Sequence, residues 1–358
     1  MKRVLIFAVT LFIVSMAVYS QVLSTGEMKS LQTFLNQTSV EYPTNAQALK
    51  ITDINNPLLW EGVTIENGYV VAINWHGKGL AGELDLSGFK ELKKVDVSDN
   101  RISGLIINSV PMLEDLNASK NRMTVFAIKA APQLKKLNLY RNKLSEVSLS
   151  GVPMLEQVNV ARNVISELDM TGMVGLKTLT CSSNQLESLE IVGCRNLQNL
   201  YAGYNDLTQI NLAGLEKLEN LNLDSNRINK LYLQGLPNLF TLFCNGNHMT
   251  NLSINDCGAL TDIDASFNDL VSFTLDKCLR VSFINLQWND LQYLDLSNQP
   301  ALERLNVADN QLNTLDVSYD TFLYYIDLSS NETLTDFRSE GCDQLRQIRG
   351  EWAGFNYW

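Results

Sequence analysis

Six cysteines, two histidines and 39 acidic residues are the side chains here that could bridge, hold a metal or move a proton. In an oxidising compartment six cysteines would suggest a disulfide framework with many possible pairings. A metal would need several ligands converging at a fitting spacing, and a nucleophile would need a base within reach. The histidines, His76 and His248, stand far apart without local partners and read as turn residues. No H-E-x-x-H, C-x-x-C, G-x-S-x-G or glycine-rich phosphate loop occurs. The acids gather in no calcium-loop signature, and Asp96, Asp264, Asp295 and Asp316 read as solvated acids on outward strand positions. No catalytic site, metal or cofactor is expected.

What the sequence does contain is a period. Asn100, Asn121, Asn142, Asn163, Asn184, Asn205, Asn226, Asn247, Asn268, Asn289, Asn310 and Asn331 follow one another at 21 residues without exception. Apolar residues precede each at offsets of eight, five and three, as in Leu134, Leu137 and Leu139 before Asn142. The alternation puts the apolar residues on one face of a short strand, and stacked copies would pair in parallel over a continuous interior. An asparagine suits the following turn because its amide both donates to and accepts from unpaired backbone groups. In register, these amides would form a ladder inside the coil.

The spacing L-x-x-L-x-L-x-x-N resembles the leucine-rich repeat, in particular the bacterial 21-residue class. The second half of each repeat is strand-like, as at Leu144, Val147 and Leu149, with a glycine often following, as at Gly151 and Gly172. It is too short for a helix. The resemblance implies a curved right-handed α/β-type solenoid, here mostly strand and turn, with a parallel β-sheet on the concave face. It also implies a small helical N-terminal cap. Trp60, Gly62 and Val63 form the W-x-G-V segment that opens such caps in many extracellular relatives. Plant-type caps with this segment carry paired cysteines. This one has none and is expected to hold by packing.

Four segments follow. Residues 1–20 resemble a signal peptide: Lys2 and Arg3, an apolar run from Val4, and a small residue at Ser20. Residues 21–83 form the cap and an irregular first repeat, with a helix expected over 24–37 and a capping box from Ser24 and Glu27. Residues 84–344 carry about twelve 21-residue repeats. Residues 345–358 close the core, with Trp352, Phe355, Tyr357 and Trp358 over its end. Composition agrees with a folded chain, at 45% hydrophobic and 19% charged. The net charge of −11 argues against nucleic acid, and removing Lys2 and Arg3 makes it more negative. The mature chain is expected to have no transmembrane anchor and to be secreted or held at the cell surface, with the periplasm an alternative.

Phase places the cysteines. Cys181 and Cys244 take the third-leucine position, and Cys194, Cys257 and Cys278 replace buried apolar residues ten after an asparagine. Cys257 and Cys278 occupy adjacent repeats about 5 Å apart, so a bridge between them is open on distance alone. The positions six, four and one before each asparagine face outward. In the early repeats they are polar and partly basic, with Lys94, Lys120, Arg141 and Arg162 beside a central row of Asn117, Asn138 and Asn159. The later ones carry Tyr201, Tyr204, Phe243, Phe267, Phe283, Trp288 and Tyr325. A contiguous aromatic zone suggests a protein-binding patch, and stacking on sugar rings keeps a glycan open. The resemblance extends to internalin-like adhesins and implies a protein partner on host or neighbouring cells.

Overall fold

From Lys94 onward the chain makes one three-residue strand per turn, with its middle residue apolar and, in all but the last at Ile348, buried, as at Val95, Leu116, Leu137, Val158 and Leu179. Equivalent residues pair in parallel: Lys94 with Asp115, Asp115 with Lys136, Lys136 with Gln157. The computed structural model describes residues 23–350. The signal peptide expected at 1–20 and the closing residues expected at Trp352, Phe355, Tyr357 and Trp358 lie outside the described residues. Among those described, one 15-stranded sheet runs the length of a solenoid of about 13 turns. It begins with an antiparallel hairpin, Val63–Glu66 and Tyr69–Asn74, and is parallel thereafter. The period lengthens by one residue at both ends, where Ala72 pairs with Lys94 and Tyr325 with Gln347.

The second half of each turn is strand or extended turn. Ala81–Asp85, Arg101–Asn108, Val125–Lys129 and Glu146–Ser150 form a four-stranded sheet on the opposite side, followed by smaller parallel groups. Two corners per turn let so short a repeat close. One lies at the residue before each ladder asparagine, which takes positive φ in all twelve repeats. The other lies nine residues after the asparagine and is glycine at Gly151, Gly172, Gly193, Gly214 and Gly235.

The asparagines are buried or nearly so and cross-link successive turns. Asn226 is representative. Its Nδ2 donates to the carbonyls of Leu223 (3.0 Å) and Asp224 (3.3 Å) in its own turn and of Ala202 (3.1 Å) in the turn before. Its Oδ1 accepts from the Leu207 N–H at 3.1 Å. The amides do not bond to one another; each rung runs from amide to backbone. A carbonyl and an N–H left inside by the corner are thereby satisfied, as burial requires.

At the N-terminal end the helix Thr25–Leu35, here α1, buries Leu31, Phe34 and Leu35. Phe34 stacks on Trp75 at 5.6 Å. The expected capping box does not form, because the Ser24 side chain makes no cap bond. Glu27 is drawn inward instead, accepting from the N–H groups of Val70 (2.8 Å) and Lys90 (3.4 Å). Its burial raises its pKa, partly offset by those donors. Buried Asn45 clamps the cap to the first turn, donating to Phe34 and Ala81 carbonyls and accepting from the Ala81 N–H. The cap therefore holds by polar clamps as well as packing. Gly62 (φ +78) is required: a Cβ there would sit 2.2 Å from the Asn74 carbonyl.

Toward the C-terminal end one apolar column turns polar. Where earlier repeats bury Val110, Val152 or Leu215, the turns of Asn289 and Asn310 place Gln299 and Asp320, 3% and 1% exposed, before Cys342 is buried in the turn of Asn331. Gln299 Oε1 and both Asp320 carboxyl oxygens have no hydrogen-bond partner among the described residues. Burial, with Asp316 adding to it, pushes the Asp320 carboxyl up to about 7.

Two outcomes follow. Asn226→Ala leaves buried backbone groups unpaired and lowers stability by about 3 kcal/mol or more; the exposed Asn298→Ala changes it by less than about 0.5 kcal/mol in the same denaturation series. An acid with a raised folded pKa binds its proton more tightly when folded. Its contribution is thus complete below about pH 4 and lost as pH rises through about 7. The melting temperature of Asp320→Asn should therefore gain on the parent across that window; a constant difference contradicts the assignment.

Candidate binding face

The flanking residues of each strand face outward on the concave sheet and line a trough of about 770 Å3 that spans the early turns. Lys94, Asp115, Lys136, Asn117, Asn138 and Asn159 are among its walls. The asparagine row at its centre is also structural. The Oδ1 atoms of Asn117, Asn138 and Asn159 accept from the N–H groups of Ser119, Tyr140 and Ala161, two residues on, at 3.1–3.2 Å. Each is an Asx turn that steers the chain from strand to corner; Asn117 Nδ2 also donates to Asp96 Oδ2 at 3.2 Å, which leaves the Nδ2 groups of Asn138 and Asn159 for the trough.

The acids read as solvated also have a turn role. Asp96 and Asp264 accept from the N–H and hydroxyl of Ser98 and Ser266. Asp316 does so from Ser318, and Asp295 accepts from the Ser297 N–H. The Ser297 N–H holds Asp295 below the usual carboxylate range, and the Ser318 hydroxyl and N–H do so for Asp316. The sequence carries the signal as a recurrent Asp/Asn-x-Ser/Thr, which marks a turn before it marks a surface.

The aromatic zone divides in two. Tyr201, Phe243, Phe283 and Tyr325 lie on the strands. Of these only Tyr201 is exposed, and just so at 37%. Arg304 lies over the Phe283 ring at 4.5 Å and Arg349 over Tyr325 at 5.7 Å, so cations of the next turn cover these faces. Tyr204, Phe267 and Trp288 instead occupy the left-handed corner along the edge of the sheet, 63%, 55% and 51% exposed. Phe267 and Trp288 stack at 6.0 Å with 14° between planes. Arg141 and Arg162 stand on the same edge, early in the solenoid, with Arg162 over the Tyr140 ring at 5.9 Å. Exposed aromatics also lie off this face, at Tyr232, Tyr293, Tyr319 and Phe322, where nothing in the repeat pattern distinguishes them.

All six cysteines are buried and free, Cys342 included. Burial alone pushes the Cys181 thiol up to about 12. Cys257 hydrogen-bonds to Cys278, which together with burial holds it protonated well above the ordinary thiol range. His76 Nδ1 meets the Ser98 hydroxyl at 2.8 Å, and His248 lies 3.7 Å from Asp269. No group of three or more His, Cys, Asp or Glu among the described residues is placed to hold a metal. No described helix is long and apolar enough to cross a membrane.

These features define a leucine-rich-repeat solenoid of about 21-residue turns. The fold is shared with YopM, a leucine-rich effector protein from Yersinia pestis, at 21% identity and a TM-score of 0.55 over 79% of this chain and 89% of that one. It is shared too with the internalin InlF from Listeria monocytogenes, at 16% identity and a TM-score of 0.50 over 94% and 97%. At such identities the likeness is one of fold. No family model and no curated protein matches the chain.

The corner that displays these side chains can be tested directly. Ser183 has φ 57; Ser183→Val should cost about 1–2 kcal/mol because a β-branched residue resists left-handed backbone, whereas Ser183→Gly should cost nothing measurable. Equal unfolding midpoints for the two variants would contradict the strained-corner reading.

Proposed function

We propose that the protein is a recognition module, secreted or displayed at the cell surface, that binds a partner protein on host or neighbouring cells. The observation that carries this reading is the exposed aromatics at the concave edge, Tyr204 and, three turns on, the stacked pair Phe267 and Trp288. Large aromatics left open to water cost solubility, and they supply the most binding energy when a partner desolvates them. Their backbone is fixed by the corner and by the asparagine rung beside it, so little order is lost on binding. Tyr201 adds an aromatic on the sheet, and the polar trough of the earlier turns offers Lys94, Lys136 and the Nδ2 donors of Asn138 and Asn159. The fold shared with an internalin fits such use, although a fold alone assigns none.

Binding of the labelled chain to whole cells tests the proposal. We expect saturable binding that is lost when the cells are first treated with protease, and that falls about tenfold or more in Tyr204→Ala/Phe267→Ala/Trp288→Ala. Unchanged binding by that variant rules out the aromatic edge. Loss on periodate treatment of the cells, with protease harmless, transfers the ligand to the glycan class.

A further inference from the structure

The same corner carries a second surface, unrelated to the aromatics. In the early turns the residues on either side of the ladder asparagine are cations: Lys120, Arg141 and Arg162 just before it, Arg101, Arg122 and Lys143 just after. All six are exposed, and none is in an ion pair among the described residues. Five of them flank a groove of about 460 Å3 whose remaining walls are Asp99 and the ladder asparagines. Such a concentration of positive charge stands out on a chain of net charge −11.

A neighbouring column shows how this solenoid neutralises charge when it does so internally. Seven residues before each asparagine, Lys93, Glu114, Lys135, Glu156 and Lys177 alternate in sign. Lys135 pairs with Glu114 at 3.6 Å and Lys177 with Glu156 at 2.9 Å. The corner rows contain no such alternation. Their like charges repeat about 5 Å apart and repel unless an outside anion meets them.

We propose that this groove binds a linear acidic polysaccharide, a chain of uronate or sulfated sugars lying along the solenoid axis. The ligand has to present an anion at each turn in a straight line. A head-to-tail chain of acidic pyranose rings carries one charge per ring, and a ring is about as long as a turn of the solenoid is thick. An extended acidic peptide spaces its same-side charges at about 6.6–6.8 Å and falls out of step within a few turns. Single-stranded nucleic acid depends on aromatic platforms for its bases, and no aromatic residue lines this groove. Four of the six cations are arginines, whose forked donors suit carboxylate and sulfate. The proposal does not depend on the aromatic edge, since the two surfaces share no residue.

Fluorescence anisotropy with the full chain tests it, using end-labelled octasaccharides of polygalacturonate and heparin at low salt. Competitors are polyglutamate and oligo(dT) of matched charge. The test variant is Arg101→Gln/Arg122→Gln/Arg141→Asn/Lys143→Gln, with asparagine at 141 because it tolerates the left-handed corner. Arg195→Gln/Lys217→Gln/Lys230→Gln/Arg280→Gln removes equal charge from exposed sites elsewhere, and circular dichroism checks that both fold. We expect at least one sugar to bind, to weaken steeply with salt, and to lose about tenfold or more in the test variant but less than about twofold in the control. No sugar binding, or equal loss in both variants, overturns the site. Polyglutamate or oligo(dT) competing as well as the sugars overturns the choice of ligand. Tyr204→Ala/Phe267→Ala/Trp288→Ala should leave sugar binding intact, which separates failure here from failure of the protein-binding reading.

Discussion

Each ladder asparagine holds two turns together at a place where backbone alone cannot. A 21-residue turn without helix has to bend sharply, and its corner leaves carbonyls and an N–H pointing inward, away from any strand partner. Asn226, with its donor and acceptor on one planar group, reaches the carbonyls of its own turn and of the turn before. It also receives the N–H of Leu207. Aspartate lacks the donor, and glycine lacks the side chain altogether. Buried polar groups without partners are costly, so this one amide permits the tight turn, and the tight turn fixes where every other residue faces.

The remaining polar devices follow from that geometry. The residue before the asparagine is forced into left-handed backbone, and its side chain is thrown outward to the edge of the sheet. The Asx turns at Asn117, Asp264 and their equivalents lead the strand into this corner. One corner therefore both closes the turn and displays a side chain. The early turns use it for cations and the later ones for Tyr204, Phe267 and Trp288. Such division of a single position between two kinds of surface is open to a repeat protein because each turn contacts only its neighbours.

The two ends of the described structure are handled differently. At the start, α1 covers the open core, and Glu27 and Asn45 satisfy backbone groups that have no preceding turn to pair with. Toward the other end, the buried column beneath the second corner accepts Gln299 and Asp320 where hydrophobic residues stood before. Neither finds a full set of partners, so this is where the interior is polar at the expense of stability.

The sequence by itself determined the fold, the phase and the interior. A period of 21 with a polar residue that never varies assigns each position a direction, and that direction already demoted the cysteines to core. The left-handed corner was legible in principle too, since Val, Ile and Thr are absent from all twelve positions before the asparagine. Periodicity gives direction but not neighbours, and there it stopped. Only the tertiary structure decided that Asn138 and Asn159 are tied to the turn, that Arg304 covers Phe283, and that Ser24 leaves Glu27 to the core. Those outcomes depend on which side chains from different turns come within hydrogen-bonding or stacking distance, a property of the stacked coil that no single repeat contains. The amide ladder belongs to both levels: the sequence required an asparagine, and the stacking of turns supplied the carbonyls it binds.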